Sequence, residues 1–180
     1  MIVYKIKRLV ASASLLALGS AFELVSKRDA KLRAEIEDWE EGRVFSLSVM
    51  NNGPALVLKK ENNRIHYVGN NIVNSDRKIL FKNIDCALLP LTGMMSADMA
   101  FVQHRAILHG RISAAMEISR AMAIVQSYLL PGFMFGRLYK RPPKFTLGQY
   151  LLKGWVMAVL LPRMAVNLIK QNGAQQPHDA

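Results

Sequence analysis

The sequence predicts an α+β fold, a five-stranded, mostly antiparallel sheet covered by helices on one face. Three observations carry this. Apolar residues recur at helical spacing through residues 3–40. From Arg43 to Asn83 the period drops to two, in short runs separated by turn signals. Beyond Asp85 it becomes helical again, with one further alternating run before Gly110.

Residues 3–40 read as helix, with Ile6, Leu9, Val10, Ala13, Leu16 and Ala17 at helical spacing. The stretch SKRDAKLRAEIEDWEEG then mixes both charge signs, the pattern of a solvated helix face, and Gly42 is the stop. In RVFSLSVM, Phe45, Leu47 and Val49 alternate with Ser46 and Ser48, which reads as a half-buried strand. NNGP is a turn signal, ALVLKK a second strand, ENN another turn and RIHYVG a third strand. After the polar loop NNIVNSD, RKILFKN places Ile79 and Phe81 on one face of a fourth strand. Such short connections imply antiparallel neighbours, because a parallel pair needs a crossover of about a dozen residues or more.

DCALLPLTG makes a short helix limited by Pro90 and Gly93, and Ser96 caps a second one in SADMAFVQ. HRAILHG alternates as the fifth strand. A long helix from Ile112 to Leu130 stops at Pro131-Gly132, and RLYKRPPK is a basic loop. Thr146 caps a last helix in which Leu147, Tyr150, Leu151, Trp155, Ala158 and Leu161 form one apolar stripe, with Gln149 and Lys153 on a thin polar side. Pro162 is expected to kink or restart it. The expected organisation is an N-terminal amphipathic helical segment over 1–42, a core over 43–130, a basic, aromatic helical extension over 131–170 and a disordered tail over 171–180.

The chain is both apolar and basic: 51% of its 180 residues are hydrophobic, 10 are Met, and the net charge is +11. From residue 118 onward eight cations face one acid, Asp179. Cations interleaved with aromatic and aliphatic residues suit a segment lying on an anionic bilayer surface. The expected membrane-contact residues are Phe133, Phe135, Arg137, Tyr139, Lys140, Arg141, Lys144 and Trp155. A nucleic-acid patch is also basic but does not sit beside so much aliphatic bulk, so no nucleic-acid partner is expected.

No segment reads as long enough to span a membrane, since the uncharged run between Arg8 and Glu23 has 14 residues against the roughly 20 needed. The start mimics a secretory signal, with Lys5, Lys7 and Arg8, a short apolar region, then Gly19-x-Ala21. The reading preferred over it is an amphipathic helix, buried or interfacial. A lone Cys86 suits a reducing compartment. The expected location is therefore cytoplasmic, with peripheral membrane association.

Catalysis needs proton-trading or attacking groups held together, and none is evident. His104 and His109 point to opposite faces of a predicted strand, His66 lies on another strand and His178 in the tail. Cys86 has the apolar flanks IDCALL rather than the electropositive setting that activates a thiol. Glu35, Glu37, Asp38, Glu40 and Glu41 read as a solvated helix face. No catalytic residue, metal ligand or cofactor is expected, which leaves a binding protein rather than an enzyme.

The stretch ALLPLTGMMSADMAFVQHRAILHGRISAAMEI resembles the signature region of the sterol carrier protein 2 family. The matching pattern is a Leu-rich helical turn (Leu88, Leu89), Gly93, a short helix with Ala100-Phe101, a strand with Ile107 and Leu108 ending at Gly110, then a helix opening on Ala115-Met116. The likeness covers roughly residues 43–125 and departs at Met94 and Ala97, where the family often has Lys and Pro. The extended N- and C-termini look more like bacterial members of the family, including accessory lipid carriers of ubiquinone biosynthesis, than peroxisomal sterol carriers, and the ending PHDA is not a peroxisomal address.

The resemblance implies a non-enzymatic carrier that holds a sterol-like, fatty acyl or isoprenoid ligand in an apolar tunnel on the helical side of the sheet, with no cofactor beyond a bound lipid. The ligand-binding residues it suggests are Leu88, Leu89, Met94, Met95, Met99, Phe101, Ile107, Met116 and Met122. Met is flexible enough to line a surface that accepts varied hydrocarbon. The alternative is a scaffold that organises membrane-associated enzymes of lipid metabolism, which would then be its partners.

Overall fold

The structure, a computed structural model, describes residues 2–50, 52–69, 75, 77–132 and 145–173, with the backbone alone for 161 and 163–173. Its elements are α1 (Ile2–Ser26), α2 (Ala30–Glu37), β1 (Val44–Val49), β2 (Ala55–Glu61), β3 (Arg64–Gly69), β4 (Arg77–Phe81), α3 (Ile84–Leu91), α4 (Ala97–Val102), β5 (Ala106–His109), α5 (Ile112–Leu129) and α6 (Leu147–Gly173). This is the expected α+β architecture with a five-stranded sheet.

The predicted first helix is two. Asp29 takes extended backbone and its carboxylate accepts from the Leu32 N–H at 2.7 Å, so the chain turns and starts again as α2. At the other end of α2, the nearly buried Lys60 of β2 donates to the carbonyls of Glu37 (2.8 Å) and Trp39 (2.5 Å). Those carbonyls would otherwise lack donors at a helix end.

The strand order is β3-β2-β1-β4-β5. Three pairings are antiparallel, and the β2–β3 hairpin turns on Asn62 and Asn63, both at positive φ (52° and 53°) as a two-residue primed turn demands. The expected antiparallel placement of β4 is corrected: it lies parallel to β1, pairing Leu47 with Ile79 and Val49 with Phe81. The crossover that parallel pairing needs is supplied by the β2–β3 hairpin and its loops, which intervene between β1 and β4.

Phe45, Leu47, Val49, Leu56, Leu58, Ile65, Ile79 and Phe81 form the inner face, and all are buried. Across it lies α1, whose Leu15, Leu18, Ala21, Phe22 and Val25 are buried in the same core. A Cβ on Gly19 would stand 2.5 Å from Leu56 Cδ1 and 2.7 Å from Tyr67 Cδ2, so only glycine lets the helix come this close. The Gly19-x-Ala21 pair is thus a packing contact. Ser46 and Ser48, expected on a solvated face, are also buried; Ser46 Oγ lies 2.6 Å from Ser75 Oγ.

Two further expectations change. At 25 residues, α1 is long and apolar enough to cross a membrane by length and composition, because Lys5, Lys7 and Arg8 sit near its end rather than at its centre. Its second half is nevertheless the middle of the core. The last helix runs through Pro162 without a restart and reaches Gly173, three residues into the expected disordered tail.

Candidate functional site

The residues expected to line a ligand cavity sit on α3, α4, β5 and α5. Asn83 caps α3 by accepting from Cys86 N (2.8 Å), and Gln126 of α5 donates to the Pro90 carbonyl at 2.9 Å. Gly93 ends α3 at φ +76°, where a Cβ would lie 2.5 Å from Leu130 Cδ1. Ser96 caps α4 through Met99 N at 3.4 Å, as its position predicts. His104 falls in the turn before β5, at φ 52°, rather than on the strand.

From these elements the nine residues divide. Met122 is fully buried in the core, whereas Leu88, Leu89, Met95 and Phe101 are half-buried. Met94 (74% exposed), Met99, Ile107 and Met116 (53%) face solvent, and Val102 and Ile112 join them. Ile107 lies on the outer face of the sheet, since its neighbour Leu108 shares the inner face with Ile79. A run of large apolar side chains in solvent is costly enough to point to a cover.

A second site lies where the α1–α2 turn meets α6. Of the expected apolar stripe of α6, Leu147 (84% exposed), Tyr150, Leu151 (73%), Trp155 and Ala158 share an outward side and are all exposed, while the Leu161 side chain falls outside the described residues. The polar pair points inward. Gln149 Nε2 donates to Asp29 at 3.2 Å, and Lys153 Nζ donates to the carbonyls of Ser127 (2.9 Å) and Leu130 (2.6 Å). Val156 and Leu160 carry the buried contacts of this helix. Burial pushes the Lys153 ammonium below the usual lysine range.

Between the turn and α6 opens a cleft of about 630 Å³, walled by Ala30, Gly148, Leu151, Leu152 and Trp155 with Arg28, Asp29, Lys31, Thr146 and Gln149. The Arg28 guanidinium stacks 3.5 Å above the Trp155 ring. Asp29 is buried and accepts three hydrogen bonds, from Leu32 N, Gln149 and the Tyr128 hydroxyl (2.5 Å). Burial first, and then the Asp29 hydrogen bond and charge, push the Tyr128 phenol well above its usual range. Phe145 stacks on Tyr128 at 5.4 Å and fixes the start of α6. Among the described residues, no three His, Cys, Asp or Glu side chains converge as metal ligands would.

Of the expected membrane-contact residues, Trp155 lies beside this cleft, while Phe133, Phe135, Arg137, Tyr139, Lys140, Arg141 and Lys144 fall outside the described residues. Sequence reasoning missed Arg28 and Lys31. Their signal was present as cations in SKRDAK at the break between two helices, but it merged with the mixed charges that follow.

No protein-family model matches the sequence, and no curated protein matches it either. In class, the chain is an α+β domain with an open five-stranded mixed sheet, and solved structures similar to it include sterol carrier protein 2 and SCP2-like domains. UbiJ-SCP2, a ubiquinone synthesis protein, is similar at a TM-score of 0.44 and 15% identity, over 67% of this chain and 98% of that one. A conserved hypothetical protein of Thermus thermophilus, suggested to be a sterol carrier protein, is similar at 0.45 and 18%, over 61% and 85%. Palmitated SCP2L2 of Aedes aegypti is similar at 0.36 and 12%, over 56% and 91%.

Proposed function

We propose that the protein is a non-enzymatic lipid carrier that holds a sterol-like, fatty acyl or isoprenoid molecule against α3, α4 and the first turns of α5, and docks on membranes to exchange it. The observation that supports this most is the exposure of Met94, Met99, Val102, Ile112 and Met116 in one chain stretch, beside half-buried Leu88, Leu89, Met95 and Phe101. That stretch is the one whose motif resembles sterol carrier protein 2. Each methylene of a ligand that these side chains cover gains about 0.8 kcal/mol. The half-buried four would line an apolar tunnel, and the exposed Met residues its mouth. The basic, aromatic segment 133–144 would meet anionic headgroups.

Native mass spectrometry of gently purified protein, with lipid extraction, tests this. Lipid is expected to co-purify, and Met116→Asp, at an exposed position, should lower its occupancy several-fold without unfolding the chain. Protein that carries no lipid and binds no labelled fatty acid or isoprenoid refutes the carrier. Capture of lipid-metabolic enzymes that is indifferent to Met116→Asp would favour the scaffold instead.

A further inference from the structure

We infer that the cleft between the α1–α2 turn and α6 holds the phosphate headgroup of an anionic phospholipid while Leu147, Leu151 and Trp155 enter the bilayer interface beside it. This deepens the carrier reading and rests on it, naming where the carrier meets the membrane. A surface helix normally turns its apolar stripe to the core, yet here Gln149 and Lys153 go inward and Leu147, Tyr150, Leu151 and Trp155 go out. Arg28 lies over one face of Trp155 and Phe145 meets the edge of Tyr150, but Leu147 and Leu151 are left largely uncovered.

Charge decides which cover fits. Arg28 and Lys31 are exposed and make no ion pair among the described residues, while Asp29, the one acid in the cleft, is buried with its oxygens already accepting. The cleft thus presents net positive charge over apolar walls. Stacking on Trp155 fixes the Arg28 guanidinium plane and leaves its edge N–H groups free for bidentate contact with a phosphate. Nothing lies within 4 Å of where a Cβ of Gly148 would sit, so the wall is bare where a headgroup would enter. Trp and Tyr flanked by cations, over aliphatic residues, is the composition that settles at a headgroup boundary.

The test uses the full chain in a Trp39→Phe background, so that fluorescence reports Trp155 alone; the Trp39 indole N–H has no hydrogen-bond partner to lose. Vesicles of phosphatidylcholine, with and without phosphatidylglycerol, are titrated at low salt. Trp155 should shift blue with the anionic vesicles only. Arg28→Gln with Lys31→Gln should weaken partitioning about 25-fold, at roughly fivefold per cation, whereas Arg28→Lys with Lys31→Arg, which keeps both charges but not the stacked fork at position 28, should recover only part of that loss.

Equal binding to neutral vesicles, or an unweakened double Gln variant, overturns the proposal. So does a fluorescence change saturated by inorganic phosphate alone, which would make this a site for a soluble anion. A dimer that Leu151→Asp converts to monomer would make the stripe a protein interface and also overturn it. Native mass spectrometry of the double Gln variant separates this proposal from the carrier reading: co-purified lipid should be unchanged. Loss of vesicle binding with lipid retained supports the docking site, whereas a lipid-free wild type refutes the carrier whatever the vesicles show.

Discussion

The Asp29 carboxylate joins three elements, accepting from the start of α2 (Leu32 N, 2.7 Å), the end of α5 (Tyr128 Oη, 2.5 Å) and the first turn of α6 (Gln149 Nε2, 3.2 Å). Because the fold raises the Tyr128 pKa, the folded chain keeps the phenolic proton after the unfolded chain has lost it. The stability involved is fully present below about pH 10, where an unfolded tyrosine ionises, and falls as pH rises beyond. Tyr128→Phe should cost about 1.5–3 kcal/mol at pH 7, the range for a hydrogen bond to a charged group. Urea denaturation checks this, and above pH 10 the variant should lose stability less steeply than the wild type. The Tyr128 and Gln149 contacts were not legible locally, because those partners lie 99 and 120 positions along the chain. The cap on Leu32 N is as local as the Ser96 cap on Met99 N, each three residues long, but Asp29 reads as one more charge in a mixed stretch whereas Ser96 opens a separate run.

At the scale of elements, periodicity located the strands and the inner faces of β1 and β4, but it merged α1 with α2 and did not fix which side of α6 turns inward. The stripe of α6 is where spacing places it, but which face turns inward depends on what the neighbour lacks. The end of α5 presents the carbonyls of Ser127 and Leu130 without helical donors, and Lys153 supplies both hydrogen bonds. Lys153→Met should therefore cost about 2–3 kcal/mol, while Leu151→Ser should stay within about 0.5 kcal/mol of wild type, as exposed substitutions do. Thermal denaturation of the two variants checks the order; the reverse order would mean that the stripe is core. The same limit explains β4. Alternation in RKILF marks a strand, but only the free edge of β1 decides that it pairs there in parallel. Of the candidate ligand site, the motif located α3, α4, β5 and α5, whereas the exposure of Met94 and Met116 and the burial of Met122 depend on helix rotation that spacing does not fix.

For the molecule as a whole, α1 has two available fates, since its 25 residues extend about 37 Å and could cross a bilayer. Packing decides against crossing. Leu15, Leu18, Phe22 and Val25 are fully buried on the sheet, and Ser26 Oγ accepts from Ile65 N at 3.1 Å. Moving α1 into lipid would uncover Leu47, Leu56, Leu58 and Ile65 as well. At about 1.5–3 kcal/mol for each large apolar side chain exposed, uncovering these four costs about 6–12 kcal/mol, comparable with the whole 5–15 kcal/mol by which a typical domain is stable. What α1 offers a membrane is its first ten residues, where Ile2, Val3, Tyr4, Ile6, Leu9 and Val10 are exposed around Lys5. Lys7 to Asp85 (2.6 Å) and Arg8 to the Asn52 carbonyl (3.2 Å) fasten this end to the body. A run-length count of uncharged residues could not separate these halves, because the division lies in what the sheet covers. Protein bound to phosphatidylglycerol vesicles should therefore be released by alkaline carbonate, with amide hydrogens of Ala11–Ser26 as protected from exchange as in solution. Ile6→Glu with Leu9→Glu should weaken vesicle binding and leave the unfolding midpoint unchanged. Resistance to extraction, together with loss of protection in Ala11–Ser26, would mean that α1 leaves the sheet and spans.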